Sequence, residues 1–145
     1  MKILLVGCSA SKQPGTHAAR DLYTGQLFQA SRRYAEASGH RWLIFSGLHG
    51  LIEPDARIES YDQQIPRRRD ADARRALLNK LVAQVLVHLA DAPLTYEIHA
   101  GHDYVEALRY VQALHPRGTA DVFEIETPLA GLQIGQRKAW YSCRT

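Results

Sequence analysis

Scarcity is the first thing to read in this chain. It has two cysteines, Cys8 and Cys143, in 145 residues, too few for a disulfide framework, so a reducing compartment is the simpler expectation. No apolar run approaches the ~20 residues needed to cross a bilayer. The opening MKILLVG has the length of a strand and lacks the longer apolar region and cleavage site of a secretory signal. Cytoplasm is therefore the expected location, with no membrane partner. There is no paired CxxC, no HExxH and no GxxxxGK[ST], so the common zinc frameworks and the Walker A nucleotide loop are excluded. Repeats, linkers and low-complexity stretches are absent too.

What is present reads as one globular domain over 1–145. Hydrophobic residues make up 46% and charged residues 23%, a balance typical of a folded chain of a size that buries a core. The net charge is +3 and the pI near 9.0. Arginines cluster at Arg32-Arg33, Arg67-Arg68-Arg69 and Arg74-Arg75. A basic balance favours anionic partners such as a nucleotide or nucleic acid; a solvated helix face accounts for the same clusters equally well.

The hydrophobic pattern alternates between two periods. Lys2 to Gly7 (KILLVG) is a continuous apolar run, the mark of a strand covered on both faces. Thr24 is the expected cap of a first helix with Leu27, Phe28, Ser31, Tyr34 and Ala35 on one face, closed by Gly39 in a left-handed conformation. A second strand is expected at Arg41 to Ser46 and a second helix at Asp70 to Ala90, with Ala73, Leu77, Leu81, Val85 and Leu89 inward. A third strand, Leu94 to Ala100, leads to a helix carrying Val105, Leu108, Val111 and Leu114 and stopped by His115-Pro116-Arg117-Gly118. A fourth strand, Asp121 to Glu126, precedes a short final helix ending near Trp140. This β-α-β-α-β-α-β order implies a three-layer α/β/α sandwich on a four-stranded, mainly parallel sheet with strand order 2-1-3-4.

Such a sheet gathers its post-strand loops at one edge, where ligands bind in open α/β folds. The loops expected there are Cys8 to Lys12, Ser46 to Gly50, His99 to Tyr104 and Thr127 to Gln136. The stretch from Arg41 to Asp62 is the most unusual. A buried-strand pattern breaks into Ser46-Gly47-Leu48-His49-Gly50, then runs through Pro54 to Tyr61-Asp62 as a long ordered loop, too apolar (Leu48, Leu51, Ile52, Ile58) to be disordered.

These loops also carry a resemblance. VGCSASK, ARDLYTGQLF, SGLHGLIEPDARIESYD and PLAGLQIGQRKAW resemble the signature segments of the DUF6884 family over nearly the whole chain. The central block is similar to the SGLYGLLRP-D-I-PYR block of the YaaA peroxide-stress proteins, with His49 in place of a tyrosine and Asp62 in place of an arginine. YaaA-like proteins are described as DNA-binding, with an added helix-hairpin-helix element that this chain lacks. Both groups resemble the uracil-DNA-glycosylase type of α/β sheet. The resemblance implies a fold of that type and a DNA-binding stress-response role like that of YaaA.

The chemistry expected at the edge follows from those residue types. Cleavage of a nucleobase–sugar bond needs a carboxylate to steady an oxocarbenium-like sugar and orient water, and a proton or hydrogen bond for the departing base. His49 suits the base, since histidine titrates near neutrality, and Asp62 or Asp103 suits the sugar. Tyr23 and Tyr104 can stack on a base. Cys8, Ser9, Ser11, Lys12 and Arg20 line the expected phosphate loop, with Ser46, Gly47, Gly101 and Gln136 as further substrate contacts. Each has a plainer reading: a histidine beside glycine caps a turn, an aspartate at a helix start caps its helix, and Lys12 forms a structural ion pair. Two other chemistries compete. His49, His99, His102 and Asp103 are of metal-ligand type but match no standard spacing, and no metal or cofactor is expected. Cys8 with His49 as its base would make a nucleophile. The function expected is thus nucleotide- or nucleic-acid-directed, as an N-glycosidase or DNA-glycosylase-like hydrolase. The alternative is a non-catalytic DNA-binding stress-response protein; oligomeric state is open.

Overall fold

The computed structural model of the chain describes residues 1–67, 69–89, 93–114 and 123–144. Its centre is β1 (Lys2–Gly7), whose side chains alternate between two apolar cores. Ile3 and Leu5 enter one core and Leu4 and Val6 the other, which is why the run from Ile3 to Val6 has no polar position. Parallel strands flank it, β3 (Arg41–Ser46) on one side and β6 (Thr95–His99) on the other. β7 (Glu124–Glu126) pairs parallel to β6, and β4 (Gly50–Ile52) pairs antiparallel to β3, giving the order β4-β3-β1-β6-β7.

The expected four-stranded sheet is thereby corrected to a mixed sheet of five strands. The extra strand comes from the stretch read as a long loop. Gly47-Leu48-His49 is a hairpin turn that sends the chain straight back along β3, with Gly50 at φ +70° where the return begins, the left-handed geometry that favours glycine. Further on, β5 (Arg57–Glu59) pairs antiparallel with β2 (Thr16–Ala18) as a separate two-stranded ribbon.

Helices cover both faces. α3 (Ala71–His88) and α4 (His102–Ala113) bury Leu77, Leu81, Val85, Ala107, Leu108 and Val111 against Ile3, Leu5, Phe45 and Ile98. Ala73 is exposed, outside the expected apolar stripe. On the other face the single turn α1 (Ala19–Leu22) and α2 (Gln26–Ala37) bury Ala19, Leu22, Phe28 and Ala35 against Leu4, Val6 and Ile44. The final helix α5 (Ile134–Ser142) packs beside α2. At roughly 1.5–3 kcal/mol for each buried large apolar side chain, these two cores dominate the stability.

Several boundaries differ from the sequence expectation. Thr24 does not cap α2; the cap residue is Gly25, in extended conformation. The α2 end is as expected, with Gly39 at φ +75°. The third strand is Thr95–His99, shorter than Leu94 to Ala100. The fourth is Glu124–Glu126, and Asp121, Val122 and the helix stop at His115 to Gly118 lie outside the described residues, as do Arg68 and Ala90.

This topology creates a switch point, the place where open α/β sheets bind their ligands. From β1 the chain crosses by α2 to β3 on one side, and from β6 it crosses by α4 to β7 on the other. The winding reverses between β1 and β6, and there the strand C-terminal ends open a crevice.

Candidate functional site at the ends of β1, β3 and β6

The crevice at the switch point has a volume of about 400 Å³. Its floor is Gly7 and Ala100, which sit so close that a Cβ on Gly7 would lie 2.8 Å from that of Ala100. Its walls are the first turns of three helices: Gly25 to Phe28 of α2, Gly101 and Tyr104 of α4, and Ile134, Arg137 and Lys138 of α5. Helix N-termini carry a positive dipole end; that of α5 is closed by a Gln133–Gln136 capping box, and the two cations beside it are partnered, Arg137 donating from Nε to the Leu132 carbonyl at 2.9 Å and Lys138 to the Gln26 side-chain carbonyl at 3.0 Å. Cys8, Ser9, Ser31 and His99 complete the lining.

Of the sequence-derived candidates, Cys8, Ser9, Gly101 and Tyr104 are brought together here. Ser9 is occupied in building the wall: its hydroxyl donates to the Ser11 carbonyl at 2.6 Å and accepts from the Gly25 N–H at 3.2 Å. Ser11 is exposed, and its carbonyl also receives the Thr24 N–H at 2.9 Å. The loop after β1 is therefore folded onto the start of α2 rather than wrapped as an open phosphate cradle. Arg20 is paired with Asp55, away from the crevice lining. Gln136 caps α5, its side-chain carbonyl accepting the Gln133 N–H at 2.8 Å, which is a structural role.

A second cluster lies across Cys8, over the ends of β1 and β3. The Tyr61 hydroxyl is 2.6 Å from those of both Tyr23 and Ser46. Ser46 also accepts the N–H groups of Leu48 and His49, each at 3.1 Å, which ties the hairpin turn to the cluster. The His49 ring meets Tyr61 edge-on at 5.2 Å. Lys12 does not form the expected ion pair; its ammonium lies 4.5 Å from the Tyr61 ring centre and donates to the Ala10 carbonyl at 3.2 Å. The Cys8 thiol and Tyr104 hydroxyl meet at 3.3 Å and join the two halves of the site.

Burial governs the protonation of this cluster. Tyr61 is pushed up to about 12, and Tyr23 and Tyr104 further, mainly because burial disfavours the phenolate. His49 is held below its ordinary 6.5 by partial burial and then by the Lys80 ammonium. Neutral hydroxyls and a neutral imidazole therefore line this side near pH 7, as hydrogen-bonding groups rather than charges.

His49 and Asp62 stand outside the crevice lining, and Asp103, in the first turn of α4, is exposed beside Tyr104. Gly47 is buried against the backbone of Ile65, where a Cβ would come within 2.5 Å of the Ile65 nitrogen; it packs the 60–66 segment onto the turn rather than meeting a ligand. His99 is locked between Glu97 and Tyr141, and His102 is exposed and paired with Glu106 at 3.4 Å. Among the described residues no three His, Cys, Asp or Glu side chains converge as a metal group would need. Sequence reasoning missed Ser31, Glu97, Tyr61, Arg137, Lys138 and Tyr141 as site residues. Two carried a signal: Ser31 is a polar residue on the apolar face of α2, and Glu97 shares a strand face with His99.

Fold and site together define an α/β protein with a crevice at its strand ends, lined by apolar and polar side chains. The chain belongs to the DUF6884 family, a family of unknown function whose model matches residues 3–143. No curated protein and no solved structure matches it. No helix among the described residues is long and apolar enough to cross a membrane.

Proposed function

We propose that this chain is a nucleotide-directed N-glycosidase whose ligand lies in the crevice between β1 and β6 and extends across Cys8. One observation carries the reading: a cavity of small-molecule size, at the topological switch point, is walled by three helix N-termini together with Arg137 and Lys138. That wall suits a phosphate. With the phosphate there, the sugar lies by Cys8 and Tyr104, where Asp103 stabilises developing positive charge. The base then lies toward Tyr61 and His49, with a neutral His49 positioned to hydrogen-bond the leaving group, and Asp62 at the outer rim. The distant resemblance of the family and of YaaA to the uracil-DNA-glycosylase type of sheet, a fold-level analogy, is what suggests a nucleobase ligand.

The test is direct. Purified protein is incubated with nucleoside monophosphates and with single-stranded DNA, and released base is measured by chromatography. His49→Ala and Asp103→Asn are expected to lower turnover by about 10²–10⁴-fold, the usual span for acid–base groups, and Arg137→Ala to raise KM with a smaller effect on kcat. Absence of both base release and nucleotide binding would overturn the reading. The second reading, DNA binding without catalysis as in YaaA, is favoured by the exposed Arg67, Arg69 and Arg75. It requires that replacing those arginines weaken DNA affinity and flatten its salt dependence.

A further inference from the structure

One side of the crevice is the end of a buried chain of hydrogen bonds that the reading above does not use. Ser31 lines the crevice, and its hydroxyl lies 2.9 Å from that of Tyr141. The Tyr141 hydroxyl is 2.7 Å from His99 Nδ1, and His99 Nε2 is 2.6 Å from a Glu97 carboxylate oxygen. Ser31, His99 and Tyr141 are 2–3% exposed. Glu97 emerges into a separate cationic groove with Lys2, Arg33, His40 and Arg144, where Lys2 lies 3.6 Å from it. The four groups thus span from the ligand crevice to a second opening at the far end of α2.

Hydrogen-bond chemistry fixes the direction of this chain from Glu97 as far as Tyr141. A carboxylate only accepts, so His99 Nε2 carries a proton toward Glu97. In a neutral ring Nδ1 then accepts, Tyr141 donates to it, and the Tyr141 oxygen accepts from Ser31. Ser31 keeps lone pairs for a donor in the crevice, and its other bond, to the Leu27 carbonyl at 2.8 Å, offers the hydroxyl an alternative direction. We infer that Ser31, Tyr141, His99 and Glu97 form a proton relay that takes a proton from a water held in the crevice and passes it to the imidazole. This rests on the hydrolase reading.

The step balances. The water gives its proton to Ser31, Ser31 gives its own to Tyr141, and Tyr141 gives its own to His99 Nδ1. The water oxygen bonds to the anomeric carbon as the carbon–nitrogen bond breaks, and the electron pair leaves with the base, which takes a proton from solvent. The imidazolium is held against Glu97, and its proton returns to solvent by the groove at Lys2. Among the described residues, the charged or titratable groups facing His99 and its partners are Glu97 on its own strand, Lys2 on β1, Glu126 on β7, Arg33 and Tyr34 on α2, His40 just before β3, and Tyr141, Arg137 and Arg144 on the α5 side. Burial holds His99 below its ordinary 6.5, with Glu97 opposing, so the ring is neutral and able to accept.

A side chain that merely pins α5 to the sheet has the same contacts, so the test must read protonation. In protein labelled with ¹⁵N-histidine, His99 is followed by NMR against pH. At neutral pH the proton is expected on Nε2, not Nδ1. Ser31→Ala is expected to lower the His99 midpoint by about one pH unit, a tenfold change in protonation, because protonated His99 turns Tyr141 round to donate to Ser31. Ser31→Thr, which keeps the hydroxyl, should restore it. Adding Ser31→Ala to Tyr141→Phe should change nothing further. A proton on Nδ1, or a midpoint indifferent to Ser31→Ala in a protein with an intact amide spectrum, would overturn the relay. If His99 responds as expected but no base is released from nucleotides, the coupling of Ser31 to His99 stands, while the hydrolase reading and the relay's part in it both fall.

Discussion

Two buried networks of hydroxyl groups flank Cys8, and they are built on opposite principles. Around Tyr61 the partners are Tyr23 and Ser46, and Ser46 in turn accepts two backbone N–H groups; among the described residues no carboxylate or imidazole is hydrogen-bonded into this set. Around Tyr141 the partners are Ser31 and a histidine that leans on a carboxylate. The first network has nowhere to put a proton near neutral pH, because burial raises each phenol. It holds a turn in place. The second ends in a pair able to take a proton, so the same hydroxyl chemistry becomes a path. The nature of the terminal group, rather than the number of hydrogen bonds, separates scaffold from conduit.

That contrast can be broken from either side. The largest expected effect is at Ser46→Ala, which strips an acceptor from two N–H groups and a partner from Tyr61. At about 1 kcal/mol or more for each buried group left unmatched, it should cost roughly 2–3 kcal/mol in urea unfolding. Tyr141→Phe should follow, at roughly 2 kcal/mol, with His99 and Ser31 both deprived of it. A smaller loss should appear on acidification. His99 and His49 both sit below 6.5 in the folded chain, so the unfolded chain binds more protons. Stability is then full above about pH 6.5 and falls as pH drops toward the folded-state values; His99→Gln and His49→Gln should each flatten that slope. Smallest of all, Lys12→Met should cost about 0.5–1 kcal/mol, the worth of a cation over an aromatic face near the surface. If Ser46→Ala proved milder than Lys12→Met, the scaffold account of the Tyr61 network would be wrong.

Much of the framework was legible in the sequence, for physical reasons that can be named. KILLVG and RWLIFS are apolar on both strand faces, and only a sheet covered on both sides buries them. Gly39 read as a left-handed helix end because little else accepts φ +75°. The return of the chain into β4 was not legible: Gly47 to Gly50 carries hairpin signals, but the same glycines suit a ligand loop, and local chemistry does not separate the two. The site residues divide likewise. Cys8, Ser9, Gly101 and Tyr104 were found because they follow strands. Arg20, Gln136 and Lys12 were assigned to a ligand, yet each has a partner supplied by the fold, Asp55, Gln133 and the Tyr61 ring. Tyr141 joins Ser31 across 110 positions, and nothing in the spacing of one chain announces such a pairing.

Gln84 gives β4 a property that concerns other molecules. Its side-chain carbonyl accepts the Leu51 N–H at 2.8 Å, and its amide nitrogen donates to the carbonyls of His49 and Leu51 at 3.0 and 3.2 Å. One side chain from α3 thus does what the next strand's peptide groups would do, and the outermost strand is left without a free backbone ladder. An open edge next to Ile44 and Leu51 would recruit another chain into an extended sheet. Gln84→Ala should therefore be recognised less by lost stability than by turbidity on concentration, since it uncovers the backbone of an apolar edge strand.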